Sequence, residues 1–223
     1  MEITAVWLTT RDLAPQWEFY ATTLGLPLLA SSSAAFTVRA GTTTLTFAQG
    51  DAAATYHVAF TIPRNKLAGA KGWLHGRAAL LTQNGADEFS SQLWNAQQCY
   101  FRDPAGSILE FIARHNLDND APGPFVTDDI LGVSEVGLPV DDVPTTVAAL
   151  TRDLGLPPYQ EQGASFSPVG DDRGLFIVVR RGRSWFPTDL TAAVHPLAVT
   201  IRGAWAQDYQ VGDLPYRIAV MTE

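Results

Sequence analysis

The chain repeats itself at a fixed distance. Asp12…Leu24-Gly25-Leu26-Pro27 recurs as Asp142…Leu154-Gly155-Leu156-Pro157, displaced by 130 positions throughout. A constant displacement of this kind marks two copies of one supersecondary unit. The local chemistry says what the unit contains. Asp12 can cap a helix whose Leu13, Trp17, Tyr20 and Leu24 share one stripe, Gly25 closes it, and Pro27 forbids its continuation. The strand before the helix aligns as well, with Val6 and Leu8 matching Val136 and Leu138, and Ala5 matching Glu135.

Strands predicted over 34–39 and 43–49, with a short one near 28–31, complete the first unit. A second unit starts with a strand over 56–62. It continues with a helix capped by Asn65 that runs through Leu67, Ala70 and Trp73, and it ends in a hairpin. Proline presets φ and glycine supplies a positive φ in the turn Asp103-Pro104-Ala105-Gly106, so 99–102 and 107–114 pair across it. In the second of these strands Ile108, Glu110 and Ile112 share one face, and Leu109, Phe111 and Ala113 the other. A carboxylate on such a surface needs a partner or a metal, because burying a bare charge is costly. Strands near 164–169 and 174–181 finish the third unit. A truncated fourth unit spans 195–202 and 214–221.

An aromatic strand, then Asp-Pro-x-Gly, then a strand with Glu four residues after the Gly, resembles the vicinal oxygen chelate superfamily. That superfamily includes glyoxalase I, extradiol dioxygenases and the fosfomycin- and bleomycin-resistance proteins. The resemblance implies an α+β fold in which paired βαβββ units curl into cup-shaped mixed sheets with helices outside. The expected division is a complete paired domain over 1–115, a polar, proline-containing linker over 116–129, and a second, abbreviated domain over 130–223.

The resemblance also implies a site. The superfamily's ligand positions lie near the start of the first strand and in the last strand of each of two paired units. Carried over, they are Ala5 and Leu45 in the first unit, and His57 and Glu110 in the second. Ala5 and Leu45 cannot bind a metal, so the ligands expected are His57 and Glu110, an incomplete set whose third member would come from elsewhere in the chain, with Glu110 also the catalytic candidate. The cofactor implied is one divalent metal, Fe, Mn, Ni or Zn, with no cofactor as the alternative. In that alternative His57 and Glu110 are a His–carboxylate pair satisfying itself at a pocket floor. Trp7, Thr9, Trp94, Asn95, Ile108 and Ile112 are the expected substrate pocket, with Trp7 as a filler beside Ala5 the competing reading. Glu135 reads as solvated or ion-paired, His195 as structural and His75 as exposed. The basic run Arg180-Arg181-Gly182-Arg183 reads as a solvated hairpin, with contact to an anionic ligand as the alternative.

The formal net charge of −8 argues against nucleic-acid or anionic-membrane partners. No apolar stretch is long enough to span a bilayer, and the N-terminus has no signal-peptide core. A single cysteine, Cys99, excludes an intrachain disulfide. A soluble cytoplasmic protein that acts on a small organic molecule is expected, with a homodimer left open. Three readings remain: a metal-dependent lyase, isomerase or dioxygenase; a metal-free protein that sequesters a small molecule as the bleomycin-resistance proteins do; or a protein whose cup is only a scaffold for oligomer contacts.

Overall fold

The structure is a computed structural model that describes residues 1–222. The first unit comprises β1 (Glu2–Thr10), α1 (Leu13–Trp17, continuing as a π-helical turn over Glu18–Thr23), β2 (Leu28–Ser31), β3 (Ala35–Ala40) and β4 (Thr43–Gln49). The second comprises β5 (His57–Thr61), α2 (Leu67–Leu74), β6 (Phe89–Ser91), β7 (Ala96–Arg102) and β8 (Ile108–Arg114). The third is β9 (Gly132–Val140), α3 (Val143–Leu154), β10 (Phe166–Asp171) and β11 (Gly174–Arg180). The fourth, β12 (Leu197–Arg202), β13 (Gln207–Gln210) and β14 (Tyr216–Met221), has strands and no helix among the described residues.

These units build two seven-stranded mixed sheets, ordered β13-β14-β12-β1-β4-β3-β2 and β10-β11-β9-β5-β8-β7-β6. The first sheet therefore joins units one and four through the antiparallel pair β1–β12, and the second joins units two and three through β5–β9. Units one and two, expected to pair with each other, lie in different sheets. The segment 116–129 runs from one sheet's β8 to the same sheet's β9, so each sheet takes strands from both sides of it. It is also clamped. Arg64 bonds Asp118 and Asp120, Lys66 makes a buried ion pair with Asp129, and Phe125 packs against Trp73 and Phe111.

Period-two alternation places one face of each sheet in a shared core. Val6, Leu8, Leu45 and Phe47 from one sheet join Val58, Phe60, Phe111, Val136 and Leu138 from the other. Leu67, Ala70, Leu74, Val143, Val147, Leu150 and Leu154 bring α2 and α3 into the same core. Between the sheets, Thr43 Oγ1 donates to the Ile3 carbonyl at 2.7 Å and accepts from the Val133 amide at 2.9 Å. Gly41 stands where the Leu131 carbonyl presses close; a Cβ there would lie 2.0 Å from its oxygen.

The repeated helix start differs in detail between copies. Asp142 accepts from the Thr145 amide at 2.9 Å, whereas Asp12 makes no side-chain cap bond. Asn65 does not cap α2, which starts after Lys66; its amide instead exchanges hydrogen bonds with the Ala121 backbone. The repeat also reaches into the sheets. Thr4 is an extra residue opposite β12, Ser134 is one opposite β5, and these two bulges are again 130 positions apart.

Candidate functional site

The concave face of the second sheet carries the chemistry. Along β8, Ile108, Glu110 and Ile112 point into the cup and Leu109, Phe111 and Ala113 into the core, as the alternation predicts. On β5 the cup face carries His57 and Ala59, and Ala59 sits beside Glu110 on one flank and Glu135 on the other. The antiparallel β5–β9 pair thus brings Glu135, from the third unit, to His57 and Glu110. All three are buried, and one donor atom from each lies within 4.8 Å of the others. His57 Nε2 is 3.6 Å from Oε2 of Glu110 and 3.6 Å from Oε2 of Glu135.

The other oxygen of Glu135 is held by Arg114, a fully buried guanidinium on the cup face of β8 that also reaches Ser134 Oγ at 3.3 Å. The bulge at Ser134 brings that residue within reach beside Glu135, since a bulge re-aims consecutive side chains. Glu135 is therefore neither solvated nor free. It is ion-paired through one oxygen and turned toward His57 through the other.

The two carboxylates are driven apart in acidity. Burial, then the charge of Glu135, push the Glu110 carboxyl well above its ordinary range, against the opposing pull of Arg114. Burial opposes ionisation of Glu135 too, but Arg114 and His57 outweigh it and hold that carboxyl low. Tyr100 lies directly across the ladder from Glu110, and burial and the two carboxylates keep its phenol protonated well past its usual range. Among the described residues Nδ1 of His57 has no hydrogen-bond partner, and the His57 ring is stacked on Trp185 with centroids 4.9 Å apart.

Trp185 belongs to a roof. After β11 the chain folds back over residues 182–192, closed by the Gly182 amide on the Ala192 carbonyl, the Ala192 amide on Arg183 and the Trp185 amide on Leu190. It lowers Arg183, Trp185 and Phe186 onto a cavity of about 260 Å³, whose other walls are Trp94, Gln98, Tyr100 and Phe166. Gly137 makes room for the roof, because a Cβ at that position would lie 2.6 Å from the Trp185 ring.

The expected pocket residues divide. Trp94 lines the cavity with His57 and Glu110, while Ile108 and Ile112 lie in apolar clusters on the same side of β8. Asn95 does not join them; it turns outward at a positive φ and bonds Asn116. Trp7 and Thr9 lie in the other sheet. Trp7 is 37% exposed, and Thr9 bonds the Tyr56 hydroxyl. The register explains the division. Ala5 corresponds to His57 and Thr46 to Glu110, so the first sheet's cup carries Ala5, Trp7 and Thr46 where the second carries His57, Ala59 and Glu110. Leu45 is a core residue one step out of phase. His195 stacks edge-on to Tyr56, and His75 is exposed.

Solved structures of known proteins share this architecture across the whole chain. A Bacillus subtilis subsp. subtilis str. 168 protein described as a "putative dioxygenase" aligns with a TM-score of 0.63 at 16% identity, covering 99% of this chain and 85% of that one. Glyoxalase I from Zea mays aligns with a TM-score of 0.55 at 12% identity, covering 98% of this chain and 91% of that one. The chain has the vicinal oxygen chelate fold. No family model matches the sequence, and no curated protein matches it. Within the vicinal oxygen chelate fold the three clustered residues occupy first-strand positions of units two and three and the last-strand position of unit two. The fourth such position is Ile177, beside Gly137 on β11. No helix among the described residues is long and apolar enough to cross a membrane.

Proposed function

We propose that the protein is a divalent-metal-dependent enzyme acting on a small organic molecule with neighbouring oxygens, with His57, Glu110 and Glu135 as the ligands. The observation that carries this reading is the spacing of three buried donor atoms within 4.8 Å of one another, with the imidazole too far from either carboxylate for a normal hydrogen bond. Ligand atoms around one ion at about 2.0–2.2 Å stand roughly 3–3.5 Å apart, close to the 3.6 Å from the imidazole to each carboxylate. A His–carboxylate pair that merely satisfied itself would close to hydrogen-bond distance. One nitrogen and two carboxylate oxygens suit iron, manganese, nickel or zinc.

Arg114 fits this reading as the group that orients Glu135, as outer partners of metal-ligating carboxylates do. With a neutral imidazole, two carboxylates and one guanidinium, a divalent ion leaves the cluster with one net positive charge, which favours a bound anionic oxygen. The metal, when bound, supplies Lewis-acid polarisation of a substrate oxygen. Tyr100 is placed to donate its hydroxyl proton in a hydrogen bond at the floor. The roof hairpin and the aromatic walls cover part of the site.

A second reading has its own support. Metal-ligating histidines almost always donate their other N–H, and Nδ1 of His57 has no partner among the described residues. A metal-free protein that binds a small molecule against Trp185 uses the same cavity. Metal content after purification, and equilibrium dialysis against manganese, zinc, nickel and iron(II), separate the two. The enzyme reading expects one ion per chain, lost in Glu110→Gln and Glu135→Gln. Absence of uptake in the wild type leaves the binding protein.

A further inference from the structure

We infer that the cavity takes a planar aromatic acid, with its carboxylate held by Arg183 at the rim and its ring carried down toward His57, Glu110 and Glu135. The inference rests on the reading of this cavity as the ligand site and names the class of molecule it selects.

Size sets the first limit. Drug-sized ligands occupy pockets of roughly 300–1,000 Å³, and this one offers about 260 Å³. A single ring with small substituents fits. Shape and surface set the second. The walls are rings contributed from separate parts of the chain: Trp94 from the turn before β7, Tyr100 from β7, Phe166 from β10, and Trp185 and Phe186 from the roof. Aromatic faces gathered around a narrow space favour a flat, polarisable guest.

Charge sets the third. Arg183 lines the same cavity, its guanidinium lying 5.0 Å from the Phe166 ring centroid. Its only polar contact among the described residues is a 3.3 Å bond to the Ser184 carbonyl, and it is in no ion pair. A guanidinium carries five N–H donors in a fixed fork that matches a carboxylate, so most of this fork is unspent. The contact with the Phe166 ring consumes none of its donors. The other guanidinium of the cup, Arg114, is committed to Glu135 and Ser134. Glu161 stands exposed on the same rim and forms no ion pair with Arg183. At the floor, in the metal-free chain, the Glu135 carboxylate disfavours an anionic group. An acid therefore binds one way round, with its carboxylate outward on Arg183 and its uncharged end inward.

Benzoate and its neutral isostere benzamide test this on the full chain after treatment with chelator, with quenching of tryptophan fluorescence as the readout. Benzoate is expected to bind saturably and more tightly than benzamide. Arg183→Gln should weaken benzoate by roughly tenfold to hundredfold, the scale of a hydrogen-bonded charge, and leave benzamide unchanged. Arg183→Lys should recover part of the loss, since it restores the charge without the fork. Thermal melts establish that both variants are folded. Equal binding of acid and amide, no saturable benzoate binding, or an Arg183→Gln variant that binds benzoate as the wild type does overturns the inference. Manganese dialysis on the same samples separates this from the metal reading. Benzoate held through Arg183 without manganese uptake keeps the inference and removes the metal. Manganese uptake with no Arg183 effect keeps the metal and removes the inference.

Discussion

Glu110 was legible because strand parity is a strong signal: a charged residue flanked by isoleucines on a strand with an apolar opposite face has one direction to point. His57 came from the family resemblance. Arg114 obeys the same parity, four residues beyond Glu110, and sits fully buried on Glu135. A strand-terminal arginine reads as solvated until its partner is known, and that partner comes from the third unit. The pH behaviour of the floor follows from the opposed shifts. Without metal, folded Glu110 keeps its proton above the pH at which the unfolded chain releases it, so the folded state binds more protons in that window and stability falls as pH rises. As pH rises above the ordinary carboxylate range, melting temperatures in chelator should decline for the wild type and decline less for Glu110→Gln. Added metal should raise the wild type alone. Gly137 gives a second test. Gly137→Ala drives a Cβ into the Trp185 ring, so we expect a loss of about 1–3 kcal/mol and a shifted tryptophan emission. Trp185→Phe in the same chain should relieve part of it, as contacting residues couple.

Elements were legible where a helix or strand carries its own period, and the 130-residue displacement placed β1 against β9 and α1 against α3. The short strand over 28–31 and the truncated fourth unit follow the same reading. The cap of α2 did not: Asn65 sits before a helix but spends its amide on Ala121, a contact fixed by tertiary structure. The roof over 182–192 had no period to read, because it is held by hairpin bonds and by Gly137 beneath it. The two repeated aspartates make a direct comparison. Asp142→Ala should cost about 1 kcal/mol, since it removes the bond to the Thr145 amide. Asp12→Ala should cost less, because no such bond exists there. Urea unfolding of the two variants measures the difference, and equal costs would mean that local helix propensity, not the cap, sets the effect.

For the whole molecule, the sequence shows four units but not which pairs with which. Strand edges carry no label, and β1 can in principle accept β5 or β12 alongside; the pairing is decided by the shared core and by the clamps on 116–129. That pairing governs how the chain comes apart. Both central ladders, β1–β12 and β5–β9, join residues on either side of the segment 116–129, and Thr43 stitches Ile3 to Val133 across the sheets. Residues 1–115 alone would expose two unpaired strand edges and half of a common core, the condition for aggregation rather than folding. A cut within the segment has a different consequence. Gly123 stands in open space at a positive φ, so a protease site there is accessible without disturbing the clamps at Asp118, Asp120 and Asp129. After cleavage at that site the two pieces should elute together at the mass of the intact chain and melt cooperatively, at a temperature lowered only by the loss of one covalent link. Residues 1–115 expressed alone should be insoluble or unfolded by circular dichroism. A soluble, cooperatively folded 1–115 fragment would mean that units one and two can close a sheet with each other, and that the cross-pairing seen here is one of two arrangements open to the chain.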